Sequence, residues 1–93
     1  MTASTDLQDI PGVGPSIQTD LEELGVQRVS DLVGRDPGRL FESLVELRGY
    51  QDPCVLYVFR CAVYYAESDR PDPELLKWWN WKARTHANER VTP

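Results

Sequence analysis

Apolar residues recur along this chain at helical spacing, and the breaks between them carry residues that start and stop helices. Ile17, Leu21 and Leu24 fall at i, i+4 and i+7, which gives the segment from Pro15 to Leu24 one apolar face and predicts an amphipathic helix. Leu40, Phe41, Leu44, Val45 and Leu47 repeat the logic between Pro37 and Arg48, after a short turn from Ser30 to Val33. Asp-Pro occurs three times, at Asp36-Pro37, Asp52-Pro53 and Asp72-Pro73. An aspartate N-cap accepts from the free amides of a first turn, and proline at the first helical position presets φ, so each pair predicts a helix start. Thr5 with Gln8 reads as a capping box for a short opening helix, and Gly25 and Gly49 sit where left-handed helix ends belong.

Residues 53 to 66, PCVLYVFRCAVYYA, are rich in β-branched and aromatic types, and local propensity favours a strand. Fourteen residues without a turn signal, opened by Asp-Pro, fit a buried central helix better. A final helix is expected from Pro73 to about Arg84, and the polar stretch from His86 to Pro93 is expected to be loose. The expected fold is all-α: a compact bundle of five or six short helices in one domain spanning residues 1–93.

Composition narrows what such a bundle does. A chain of 93 residues, 41% hydrophobic, has room for a single core. No apolar run approaches the roughly 20 residues of a membrane span, and the start from Met1 to Asp6 lacks the basic and apolar regions of a signal peptide, so a cytoplasmic protein without membrane contact is expected. One histidine, His86, and two cysteines leave little from which to build a metal cluster or a catalytic triad. No enzyme activity, cofactor, metal or small-molecule substrate is expected. Cys54 and Cys61 lie seven apart, about 10.5 Å along one helix, beyond disulfide reach, and core packing of both is the leading expectation. The net charge of −5 conceals an asymmetry: residues 1–52 carry −6 and residues 53–93 carry +1. The acidic excess counts against strong non-specific nucleic-acid binding, which rests mostly on lysine and arginine, and any polyanion would prefer the second half.

The most informative segment is Leu7-Gln8-Asp9-Ile10-Pro11-Gly12-Val13-Gly14-Pro15-Ser16-Ile17, where a short helix meets a Gly-Val-Gly turn that opens directly into the next helix. Freed amides of such a turn, with the first turn of the following helix, form a concave donor site suited to one phosphate, while Val13 anchors the turn inward. With Ile10, Gly12, Val13, Gly14, Leu21 and Gly25 in place, the segment resembles the helix-hairpin-helix motif of DNA repair, recombination and replication proteins. The expected division of the chain is this hairpin over residues 5–26, remaining helices over 27–84 and a flexible tail over 85–93. The resemblance implies sequence-independent contact with the sugar-phosphate backbone through Gly12, Val13, Gly14 and Ser16. Arg28 and Arg35 nearby in sequence read either as cations that supplement these amides or as ordinary surface charge. Two departures stand out: Pro15-Ser16 follows the second glycine where that family often has lysine or arginine, and Gln18 stands where it has a small alanine.

Further along, Val29-Ser30-Asp31-Leu32, Asp36-Pro37, the run from Cys54 to Tyr65 and the run from Pro73 to Lys82 appear in one order. Together they resemble the small bacterial family labelled "pathogenicity locus", some members of which are labelled "mitomycin resistance", over about residues 5 to 84. The expectation is a non-enzymatic module that binds DNA weakly and without sequence preference, in DNA repair or damage tolerance. The competing expectation is a protein-interaction adaptor in which a degenerate hairpin and the acidic first half, Asp20, Glu22, Glu23 and Asp31 included, engage a basic protein partner.

Other residues leave alternatives open. Trp78, Trp79 and Trp81 fall within about 160° of helical arc, with Lys82 between Trp78 and Trp79. Either they close the core, with Trp81 at the exposed edge, or Lys77, Trp81, Lys82 and Arg84 form a second surface for stacking on a base or a partner. Arg60, the one charge between Pro53 and Ala66, shares a helix side with Tyr57 and Tyr64. It reads as a solvent edge, as a partner of Glu42 or Glu46, or as a ligand contact.

Overall fold

The computed structural model describes residues 6–89. Among them are three α-helices, α1 (Pro15–Glu23), α2 (Pro37–Arg48) and α3 (Pro53–Glu67), and four 3-10 turns, at Leu7–Asp9, Val29–Leu32, Pro73–Leu76 and Trp78–Trp81. The all-α expectation holds, but the count of five or six helices does not. Thr5, and with it the expected capping box, lies outside the described residues, and the opening element is a single 3-10 turn at Leu7–Asp9.

The apolar run from Pro53 to Ala66 is the central helix that its length and Asp-Pro start predicted. Val58, Phe59, Cys61, Ala62 and Val63 of α3 are buried, and α2, the 3-10 turn at Val29–Leu32 and both C-terminal turns pack around it. Leu7, Ile10, Val13, Leu21, Val26, Leu32, Leu40 and Leu44 complete one core. The aspartates cap as expected: Asp36 Oδ1 accepts from the Gly38 amide at 2.9 Å, Asp52 Oδ1 from Cys54 at 2.8 Å and Asp72 Oδ1 from Glu74 at 2.9 Å. Buried Asp20 ties α1 to α2 through Arg48, Oδ1 to Nη1 3.0 Å.

The final helix expected from Pro73 to Arg84 is instead two 3-10 turns broken at Lys77, whose φ of −87° and ψ of 108° are extended. Side chains occupy the carbonyls that a continuous helix would use. Asn80 Nδ2 donates to Glu74 O at 2.6 Å, Trp81 Nε1 donates to Leu75 O at 2.8 Å, and Cys61 Sγ lies 3.5 Å from Leu75 O and Leu76 O.

The stretch after Thr85, expected to be loose, is packed as far as Glu89. Its polar groups find partners on several elements: the Glu89 carboxylate takes the Arg60 guanidinium at 2.5 and 3.1 Å, and Asn88 Nδ2 donates to Arg35 O at 3.0 Å and Glu67 Oε2 at 2.8 Å. His86 is buried and stacks on Trp81. Arg60 therefore pairs with Glu89, not with Glu42 or Glu46. The cysteines also separate: Cys61 is in the core, where burial pushes its thiol up to about 11, while Cys54 is exposed on the first turn of α3.

Candidate functional site

The Gly-Val-Gly segment forms a tight turn between the first 3-10 turn and α1. Gly12 adopts φ +90°, a conformation that side chains resist, and an added Cβ would lie 2.9 Å from Trp78 Cδ1. Val13 is buried, and its amide donates to Ile10 O at 3.1 Å. Gly14 differs from both. Its backbone is extended, φ −100° and ψ −171°, a Cβ added there would meet no atom within 4 Å, and it is the N-cap of α1.

That cap is bare. Among the described residues, four helical elements open with proline at or next to the first position; three are preceded by an aspartate that accepts from their first amides, and α1 is preceded by a glycine that offers no side-chain acceptor. The Ser16 and Ile17 amides at the start of α1 thus lack a side-chain cap. Of the residues expected to meet a phosphate, Gly14 and exposed Ser16 remain suited to it. Val13 serves the turn, Gly12 serves the backbone geometry, and Pro15 has no amide. Gln8 donates to Gln18 across the turn, and Gln18 Nε2 donates to Glu22 Oε2 at 3.0 Å, so Gln18 ties the two arms together.

Arg28 is exposed but stands at the far end of the first 3-10 turn, where the amide of its neighbour Val29 donates to Asp6 Oδ1 at 2.7 Å. Arg35 is tied to the packed tail through Asn88.

The tryptophans come out differently from the helical-wheel expectation. Trp81 is core, 3% exposed, and Trp79 is 55% exposed, while Trp78 is half-buried beneath Gly12. The reason is the period. At three residues per turn Trp78 and Trp81 share one face, and Trp79 and Lys82 share another. Trp81 accordingly leaves the expected second surface, and Arg84 lies over its ring at 5.8 Å from the centroid. Lys77 pairs with Glu74 at 3.1 Å, and Lys82 is exposed. Trp79 was the residue missed, and only the three-residue period would have found it.

Two further concavities flank these elements. One, about 410 Å³, lies among Tyr64, Glu67, Trp81, Arg84 and His86. Burial lowers the His86 pKa, opposed by the nearby Glu67 carboxylate, whose Oε1 lies 3.8 Å from Nε2, while Nδ1 accepts from the Asn88 amide at 3.0 Å. The other, about 470 Å³, runs along α2 past Phe41, Glu42, Val45 and Glu46. Among the described residues, no group of three or more histidine, cysteine or acidic side chains is placed to hold a metal ion, and no helix is long and apolar enough to cross a membrane.

Comparison with known proteins places this arrangement. The model of the family described as "Pathogenicity locus" matches residues 1–87. The chain belongs to that family. The match takes in the glycine turn, α3 and both C-terminal 3-10 turns. A curated relative, "Mitomycin resistance protein McrB" of Streptomyces lavendulae, is 33% identical over 84 residues, covering 87% of this chain and 76% of the relative. No solved structure matches.

Proposed function

We propose that this member of the Pathogenicity locus family is a non-enzymatic module that binds the sugar-phosphate backbone of DNA without sequence preference, through a helix-hairpin-helix built from the first 3-10 turn, the Gly-Val-Gly turn and α1. The observation that carries this reading is the bare cap at Gly14. The chain places aspartate before its other proline-led starts, yet here uses a residue that neither satisfies the first-turn amides nor is required by the backbone angles. Serine or aspartate there would stabilise the helix by a few tenths of a kcal/mol and fill the cap with its own acceptor, whereas glycine leaves the first-turn amides open to an external anion. With the phosphate held mainly by amides and few lysines or arginines assisting, affinity is modest and falls only gently with salt. The module acts in the cytoplasm, in DNA repair or damage tolerance.

The test is fluorescence-anisotropy titration of labelled single-stranded, duplex and branched DNA at two salt concentrations. Saturable binding with little sequence preference supports the proposal, and no binding at low salt defeats it. The α2 groove supports a second reading, an adaptor for a basic protein segment, because Glu42 and Glu46 flank half-buried Phe41 and Val45 there.

A further inference from the structure

Trp79 is a large apolar ring left more than half exposed on a domain that buries its other tryptophans more deeply. It is held in place. Its ring meets Trp78 edge-on, centroids 5.6 Å apart and planes at 85°, and Trp78 is in turn fixed beneath Gly12. Lys82 follows one 3-10 turn later on the same side, exposed and in no ion pair among the described residues. A fixed aromatic face beside an exposed cation, one ring away from the glycine turn, is the chemistry that recognises an unpaired base on a phosphate backbone.

We infer that Trp79 and Lys82 form a stacking platform for an unpaired base, so that the domain prefers single-stranded DNA to duplex. This rests on the backbone-binding reading above and adds a second contact to it. In a duplex the bases are stacked on one another and their faces are closed to Trp79; in a single strand a base can turn onto the ring while a neighbouring phosphate meets Lys82.

The experiment titrates oligothymidylate and a duplex of equal length into the parent, Trp79→Ala, Trp79→Phe and Gly14→Val proteins, each first shown to be folded by circular dichroism. Trp79→Ala should weaken oligothymidylate binding about 5- to 150-fold, leave duplex binding unchanged, and abolish part of the tryptophan quenching seen on binding. Trp79→Phe should restore much of the affinity. Gly14→Val should weaken both ligands. If Trp79→Ala binds oligothymidylate as the parent does, or loses both ligands equally, the platform is refuted while a loss of duplex binding in Gly14→Val leaves the backbone reading standing. If the parent binds neither ligand, both fall.

Discussion

Replacing Gly12 and Gly14 separately by alanine distinguishes a glycine required by the fold from one that is not. At Gly12 two costs combine. A φ of +90° costs an alanine about 1–2 kcal/mol, and a Cβ placed 2.9 Å from Trp78 Cδ1 forces that ring to move, with overpacking costs of about 1–3 kcal/mol. Trp78 lies against the core and carries Trp79 on its edge, so it has little freedom to yield. Gly12→Ala should therefore lose about 2–5 kcal/mol. At Gly14 the angles suit any residue and the space is open. The loss from alanine as a poorer N-cap, roughly 0.5–1 kcal/mol, is offset by about 0.4–1 kcal/mol from the reduced entropy of the unfolded chain, leaving stability nearly unchanged. Urea denaturation followed by tryptophan fluorescence measures both. A Gly12→Ala protein as stable as the parent would refute the placement of Trp78 beneath the turn.

Other perturbations address the rest of the fold. Trp81→Ala should lose about 3–5 kcal/mol, because it empties a core site and leaves Leu75 O without its indole donor, whereas Trp79→Ala should change stability by less than about 0.5 kcal/mol; equal losses would overturn the three-residue phase. Glu89→Ala leaves the Arg60 guanidinium nearly buried without its carboxylate and should cost about 3 kcal/mol, and a negligible loss in denaturant titration would show that the tail does not pack. Burial lowers the His86 pKa below its ordinary 6.5, so the unfolded chain takes up the proton more readily. The stability that the neutral ring contributes is complete above about pH 6.5 and is lost as pH falls through the lower folded-state value. Thermal unfolding of the parent should show this decline relative to His86→Gln, and parallel curves would contradict it.

Helix starts were legible in the sequence because Asp-Pro is a local signal, decided by one side chain and one ring, and all three aspartates cap as expected. The period of α1 and α2 was legible for the same reason, since their apolar faces repeat over two or more turns, while α3 was read from its length and its Asp-Pro start against a local preference for strand. The segment after Pro73 was not, since the carbonyls of Glu74, Leu75 and Leu76 are taken by Asn80, Trp81 and Cys61, contacts that exist only after folding. That loss of helical period exchanged the roles of Trp79 and Trp81. The tail misled for a related reason. Its residues are polar, but Glu89 and Asn88 are matched by Arg60, Glu67 and the Arg35 carbonyl from distant parts of the chain. At the glycine turn the sequence marked a turn before α1, but the strained φ of Gly12 and the open space at Gly14 follow only from the folded backbone.

The most direct measurement of the central claim is the affinity of the parent and of folded Gly14→Val for one labelled DNA across a series of salt concentrations. The bare cap predicts that log affinity of the parent falls with log salt at a slope near about −2, as for about two neutralised phosphates, and that Gly14→Val, with unchanged stability, binds far more weakly. A slope steeper than about −5, or a folded Gly14→Val protein that binds as the parent does, would contradict it.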